Sequence, residues 1–123
     1  MRALIVDDSR AMRAILRTSL PRTFEVHEAG HGAEALERLA TLGVVDLALV
    51  DWNMPVMNGL EFVQVIRQRR GFDSMKILMV TTETESEQII AAVTAGADEY
   101  LMKPFTRAAL AEKVAALGLA GET

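Results

Sequence analysis

Three short stretches of the chain are apolar at every position: Ala3-Leu4-Ile5-Val6, Leu47-Ala48-Leu49-Val50 and Ile77-Leu78-Met79-Val80. A short run with no polar alternation suits a strand buried on both faces, the usual condition of parallel strands. Phe24-Glu25-Val26-His27-Glu28-Ala29 alternates instead, which predicts an edge strand with one wet face. Glu99-Tyr100-Leu101-Met102 is the fifth strand candidate. Between these runs the apolar period lengthens to that of a helix. Met12, Ile15, Leu16 and Leu20 share one helical face, and Ala35, Leu36 and Leu39 share another that ends at Gly43. Phe62, Val63 and Ile66 form a third, closed by Gly71, and Ile89, Ile90 and Val93 a fourth, closed by Gly96. Leu110, Val114 and Leu117 form the last, closed by Gly118. Ser9 and Thr106 are the candidate N-caps. Five strands alternating with five helices predict an α/β fold with right-handed crossovers and a parallel sheet covered on both faces. Strand order is not readable from periodicity.

With 123 residues the chain is expected to form one domain, 1–123, with no output domain. Four Phe, one Tyr and one Trp leave the core to aliphatic side chains, with the seven Met as core or loop filler. A formal net charge of −4 argues against nucleic-acid binding through a basic surface. No apolar run approaches the roughly 20 residues that cross a bilayer, and the apolar stretch after Met1-Arg2 is too short for a signal peptide. The absence of cysteine removes any disulfide framework or thiolate metal site and suits a cytoplasmic protein.

The polar residues at the strand ends carry the chemistry. Asp7-Asp8 follows the first strand, Asp51 ends the third, Thr81-Thr82 ends the fourth and Lys103-Pro104 follows the fifth. The carboxyl ends of parallel strands share one edge, where sites form at a topological switch point. Taken singly, each residue has a bland reading: a helix-capping aspartate, a β-branched strand threonine, a solvated loop lysine. Together they place three carboxylates, a hydroxyl and an ammonium in one crevice. Three acids repel one another and call for a cation, and hard oxygens without His or Cys nearby point to Mg²⁺. Such a pocket suits phosphoryl transfer, with an aspartate as nucleophile. Asp51 is the best placed, at the end of a central strand. Asp8, with Asp7 behind it, would hold the metal, and the Asn53 backbone carbonyl would add a further oxygen.

Val6-Asp7-Asp8-Ser9 with Met12-Arg13, Val50-Asp51-Trp52-Asn53-Met54-Pro55 with Gly59, Val80-Thr81-Thr82 and Lys103-Pro104-Phe105 resemble the response-regulator receiver domains. Ile89-Ile90-Ala91-Ala92, Ala95-Gly96-Ala97 and Met102-Lys103-Pro104-Phe105-Thr106 resemble its chemotaxis members in particular. The resemblance runs from Leu4 to Leu117. It implies a flavodoxin-like (βα)5 fold with a five-stranded parallel sheet in the order 2-1-3-4-5. It implies a histidine kinase as phosphodonor, Asp51 as acceptor, and Thr81 and Lys103 as contacts to the phosphoryl oxygens. It makes Tyr100 an aromatic switch coupled to Thr81, and places Ile89, Tyr100, Met102 and Lys113 on a partner-binding face formed by the fourth helix, fifth strand and fifth helix. Without the resemblance, Tyr100 reads as a half-buried aromatic with its hydroxyl in water. His27 and His31 read as surface histidines without a role.

Three positions depart from the pattern. Ser9 stands where the chemotaxis members have a bulky aromatic, which opens the pocket rim. Asn58 replaces the usual acid before Gly59, a turn-level change. Thr82 replaces a small residue, and its β-branch would narrow access to the phosphoryl group. Asn53 and Glu83 match the chemotaxis members at positions that influence phosphoryl lifetime, and favour a short one.

These readings describe a stand-alone, monomeric switch that is not an enzyme beyond its own phosphorylation and dephosphorylation. Its expected target is a protein, with the flagellar motor switch favoured over a phosphorelay role. The alternatives are a phosphorelay intermediate, a receiver excised from a longer regulator, and a small aspartyl-phosphate hydrolase. The last lacks the cap domain and extra catalytic acid that such enzymes commonly need.

Overall fold

In a computed structural model, residues 1–82 and 85–119 are described. The apolar runs become strands β1 (Arg2–Val6), β3 (Leu47–Val50) and β4 (Lys76–Thr81), and the two remaining candidates become β2 (Glu25–Ala29) and β5 (Glu99–Met102). Helices α1 (Arg10–Ser19), α2 (Gly32–Leu42), α3 (Gly59–Gln68), α4 (Ser86–Ala95) and α5 (Arg107–Ala116) alternate with them. All pairings are parallel, in the order β2-β1-β3-β4-β5. The expected fold is therefore the observed one. The alternating stretch is the edge strand β2, and the runs without alternation fill the three central places.

Each face of the sheet carries its own core. Leu4, Val6, Ala48, Val50, Ile77 and Met79 point to the side of α2, α3 and α4, where they meet Leu39, Phe62, Ile66 and Ala92. Ala3, Ile5, Leu47, Leu49, Leu78 and Val80 point to the side of α1 and α5, against Leu16, Leu110 and Val114. This strict alternation along strands buried on both sides is the period of two acting in a doubly covered sheet.

The helix ends follow local rules with one surprise. Ser9 and Thr106 cap α1 and α5 by accepting from the N–H groups of Met12 and Ala109. Gly43 and Gly96 close α2 and α4 at positive φ, a conformation that costs glycine little. Helix α3 stops earlier than its apolar face suggests, at Gln68 with Arg69 as its C-cap, and Gly71 lies beyond it in the turn. The surprise is His31, expected to be without a role. Its Nδ1 accepts from the Glu34 N–H and caps α2. His27 does lie at the edge, paired with Glu25.

Two apolar faces are drier in sequence than in the molecule. Ile15 is exposed on α1 while Leu16 and Leu20 are buried. On α4 only Ala92 is buried, whereas Ile90 and Val93 are 63 % and 54 % exposed. The sheet covers one stripe of each helix, and the flanking apolar residues fall outside it. Among the described residues no helix is long and apolar enough to cross a membrane.

Candidate functional site

The site forms where β1, β3, β4 and β5 end together. Asp7 and Asp51 continue the parallel ladder by one residue each: Asp7 N–H donates to Ala29 O at 3.1 Å and Asp51 N–H to Val6 O at 2.9 Å. Both acids are buried, as is Thr81, while Asp8 is exposed at the rim. One carboxylate oxygen from each of Asp7, Asp8 and Asp51 lies within 4.8 Å of the others. Lys103 enters from the end of β5, its backbone N–H bonded to Thr81 O. Its Nζ donates to Asp7 Oδ2 at 2.9 Å and lies 3.5 Å from Asp51 Oδ1.

The two buried acids are held differently. Every polar group of Asp7 is engaged: its N–H by Ala29, its carbonyl by Arg13 Nη1, Oδ1 by the Ser9 N–H and Oδ2 by Lys103. Asp51 Oδ1 accepts from the Trp52 N–H at 2.8 Å, and the Thr81 hydroxyl donates to the same carboxylate. Burial pushes the Asp51 carboxyl above its ordinary range, and the Asp7 charge adds to this. Lys103, the Trp52 N–H and Thr81 oppose the rise without cancelling it. Asp51 is thus a carboxylate whose charge Lys103, the Trp52 N–H and Thr81 compensate only in part.

The loop after β3 holds Asp51 in place. Gly59, the first residue of α3, donates to Trp52 O at 2.8 Å, and a Cβ on it would run into the Asp51 carbonyl. Only glycine lets the helix start this close to the strand end. Val56 adopts φ 69° at the centre of a γ-turn in which Met57 N–H reaches Pro55 O at 2.7 Å. Met57 then accepts from the Gly32 N–H and packs on Gly32, tying the loop to α2. Asn58, noted as a departure, caps α3 in a reciprocal box with Glu61.

Asn53 is exposed in the β3–α3 loop, and Thr82 is exposed directly after β4. Glu83 lies outside the described residues. Ser9 both caps α1 and donates its N–H to Asp7, so the small side chain at the rim is also structural. Tyr100 lies opposite Met79 in the β4–β5 register and packs against the α2–α3–α4 core. On the expected partner face Ile89 is half-buried and Met102 exposed, and Lys113 Nζ pairs with Glu99 Oε1 at 3.1 Å. Burial opposes ionisation of Glu99, but the Tyr100 N–H and Lys113 outweigh it and lower its carboxyl.

Sequence reasoning missed the support around the acids. Arg13 and Arg17 both grip Glu28 on β2 at 2.8 Å. Burial works against the Glu28 charge, yet the bonds from Arg17 and Arg13 hold its carboxyl below the ordinary range. The only sequence signal is a pair of arginines four apart, which places them on one face of α1 without naming their partner.

The donor set fits a small hard cation. It consists of carboxylate oxygens with no imidazole or thiolate, and both Asp7 oxygens already accept from protein donors. Direct contact would fall to Asp8 and Asp51, with Asp7 standing behind.

Comparison with known proteins agrees with this geometry. The response regulator receiver domain family matches residues 3–115. The chain is 44 % identical over 116 residues to the chemotaxis protein CheY homolog of Campylobacter jejuni, covering 93 % of this chain and 89 % of that protein. It is 42 % identical over 116 residues to the Helicobacter pylori chemotaxis protein CheY1, covering 93 % of this chain and 94 % of that one. Among solved structures, chemotaxis protein CheY4 of Vibrio cholerae superposes with a TM-score of 0.87 at 35 % identity, covering 94 % of this chain and 97 % of that one. The response regulator domain of Thermotoga maritima CheB gives 0.84 at 27 % identity, covering 100 % and 98 %. Sequence, fold order and the acidic crevice therefore converge: the chain belongs to the response regulator receiver domain family, as a CheY-like receiver of two-component signalling.

Proposed function

We propose that this chain is a phosphorylation-operated switch in which Asp51 accepts a phosphoryl group from a phosphohistidine of a histidine kinase. The observation that carries the proposal is the Asp51 carboxylate itself. It is buried at the end of a central strand, raised in pKa, and within reach of both Thr81 and Lys103. A carboxylate oxygen attacks phosphorus as the P–N bond to the donor imidazole breaks, leaving an acyl phosphate on Asp51. Lys103 and the Thr81 hydroxyl, which now share the carboxylate, then turn to the phosphoryl oxygens. Mg²⁺ held by Asp8, Asp51 and the Asn53 carbonyl, with Asp7 behind, would offset the charge of the transferring group. The exposed positions of Asn53 and Thr82 beside the crevice suit an influence on how water reaches the acyl phosphate.

The readout is the face of α4, β5 and α5. When Thr81 is drawn toward the phosphoryl group, Tyr100 on the adjacent strand repacks, and the surface carrying Ile89, Met102 and Lys113 changes with it. The names of the curated relatives favour chemotaxis. Within this proposal the target is the flagellar motor switch, and the receiver acts as a monomer that catalyses only its own phosphorylation and dephosphorylation.

Intact mass after incubation with acetyl phosphate and Mg²⁺ tests the acceptor. Wild type is expected to gain one phosphoryl group and Asp51→Asn none. Equal labelling of the variant overturns the assignment. Mg²⁺ alone is expected to raise stability by about 1.4 kcal/mol at roughly ten times its dissociation constant. Asp8→Ala is expected to abolish that gain, and a melting shift that survives in Asp8→Ala removes Asp8 from the ligand set.

A further inference from the structure

Arg13 is a poor candidate for a solvated surface charge. Its side chain is only 18 % exposed, and from the second turn of α1 it reaches back to the loop where α1 begins. Its Nη1 donates to the Asp7 carbonyl at 2.6 Å and its Nε to Glu28 Oε1 at 2.8 Å. Glu28 is itself fixed at its other oxygen by Arg17 Nε at 2.8 Å. The Asp7 carbonyl belongs to the peptide that joins Asp7 to Asp8, so its direction sets the plane from which the Asp8 side chain departs. Asp8 is exposed and no protein hydrogen bond to its carboxylate is seen among the described residues. The bonds described at this turn, from Arg13 to the Asp7 carbonyl and from the Ser9 N–H to Asp7 Oδ1, reach Asp8 through the backbone.

We propose that Arg13 is a positioning residue for the cation site, orienting the Asp7–Asp8 peptide through a guanidinium braced by Glu28 and Arg17. This rests on the reading of Asp8 as a Mg²⁺ ligand given above. The planar fork matters: one edge of the guanidinium meets a carboxylate while another meets a carbonyl, and a lysine ammonium on a flexible stem does not hold both in a fixed geometry. Residues that orient metal ligands typically change affinity by about 10- to 100-fold when removed.

Electrostatics and positioning predict opposite signs. Arg13 is a cation beside a cation site, so if only its charge mattered, Arg13→Ala would tighten Mg²⁺ binding. If it positions Asp8, the same substitution loosens binding. The experiment is Mg²⁺ titration without any phosphodonor, read by the fluorescence of Trp52, the sole tryptophan, and by calorimetry, on wild type, Arg13→Ala, Arg13→Lys and Glu28→Gln. A melting curve on each variant confirms that the folded protein is being titrated.

Arg13→Ala is expected to weaken Mg²⁺ affinity on the order of 10-fold. Arg13→Lys, with its charge intact, is expected to remain weaker than wild type, and Glu28→Gln to lose less in the same direction. Acetyl phosphate labelling of Asp51 at saturating Mg²⁺ is expected to return to the wild-type rate. Unchanged or tighter binding by Arg13→Ala overturns the proposal, as does full rescue by Arg13→Lys. Should Arg13→Ala fail to fold, unchanged affinity in Glu28→Gln overturns it. A wild type that itself shows no Mg²⁺ binding defeats the metal reading first, and this inference with it.

Discussion

Helices α3 and α4 follow adjacent strands and pack on the same face of the sheet, yet they are held by different means. Helix α3 opens with a reciprocal capping box and buries Gly59, Phe62, Val63 and Ile66. Helix α4 opens at Glu85 with no side-chain cap and buries Ala92 alone. Its firm attachment is at the far end, where Arg67 of α3 donates to Gly96 O, Phe72 O and Asp98 Oδ2, and Asp98 accepts the Ile77 N–H. The other end of α4, among the described residues, begins without a side-chain cap bond. Local opening free energies follow buried contacts and caps, so α3 belongs to the stable part of the domain and α4 to the part that moves at low cost. Asp51 abuts the stable helix through Gly59, and Thr81 leads into the compliant one. Under the proposed function, the contrast sets a fixed acceptor and a movable readout on neighbouring strands.

The largest test of the contrast is a truncation in α3. Phe62→Ala removes a fully buried ring and is expected to cost about 3–5 kcal/mol in urea unfolding. A loss no larger than that of a surface substitution would mean that α3 is not the anchor. Asn58→Ala removes the cap from the same helix and is expected to cost about 1 kcal/mol by the same measurement.

The next effect is read as a pH dependence. Burial first, and the Asp7 charge after it, raise the Asp51 carboxyl above 3.8 in the folded state. A raised acid binds its proton more tightly when folded, so its ionisation penalises the native state as pH rises from the unfolded value through the folded one. Asp51→Asn is therefore expected to melt higher than wild type near neutral pH in EDTA, with the gain shrinking as pH falls through the raised folded pKa toward 3.8 and gone below it. A variant that melts lower at neutral pH would contradict the strain assigned to this carboxylate. Glu28 runs the other way: its lowered carboxyl contributes stability that is lost as pH falls through its folded pKa. The smallest effect belongs to α4, where Ile90→Ala is expected to stay within about 0.5 kcal/mol of wild type because the side chain is already in water.

Much of this architecture was legible in the residues themselves. The difference between Leu47-Ala48-Leu49-Val50 and the alternating Glu25-Val26-His27-Glu28 separates a doubly covered strand from an edge, because burial on one or two faces sets the pattern directly. Asp7, Asp8, Asp51, Thr81 and Lys103 could be gathered because parallel strands end on one side, whatever their order. The order itself came from family resemblance, since nothing in a period records which strand lies beside which. Apolar spacing overstated the burial of Ile15, Ile90 and Val93 because it reports a helix face and not the width of sheet beneath it. Bonds between elements were the least visible. No spacing rule links Arg13 to Glu28 or Arg67 to Asp98, and histidine is too uncommon an N-cap for His31 to be recognised.

The central claim is that phosphorylation at Asp51 is transmitted through Thr81 to α4 and β5 while α3 holds still. Hydrogen exchange with and without beryllofluoride, a stable phosphoryl mimic, measures this directly. The account predicts altered protection across residues 86–102 with residues 59–68 unchanged, and loss of the distant response in Thr81→Ala. Changes confined to the crevice, an equal response in α3, or a distant response that persists in Thr81→Ala would contradict it.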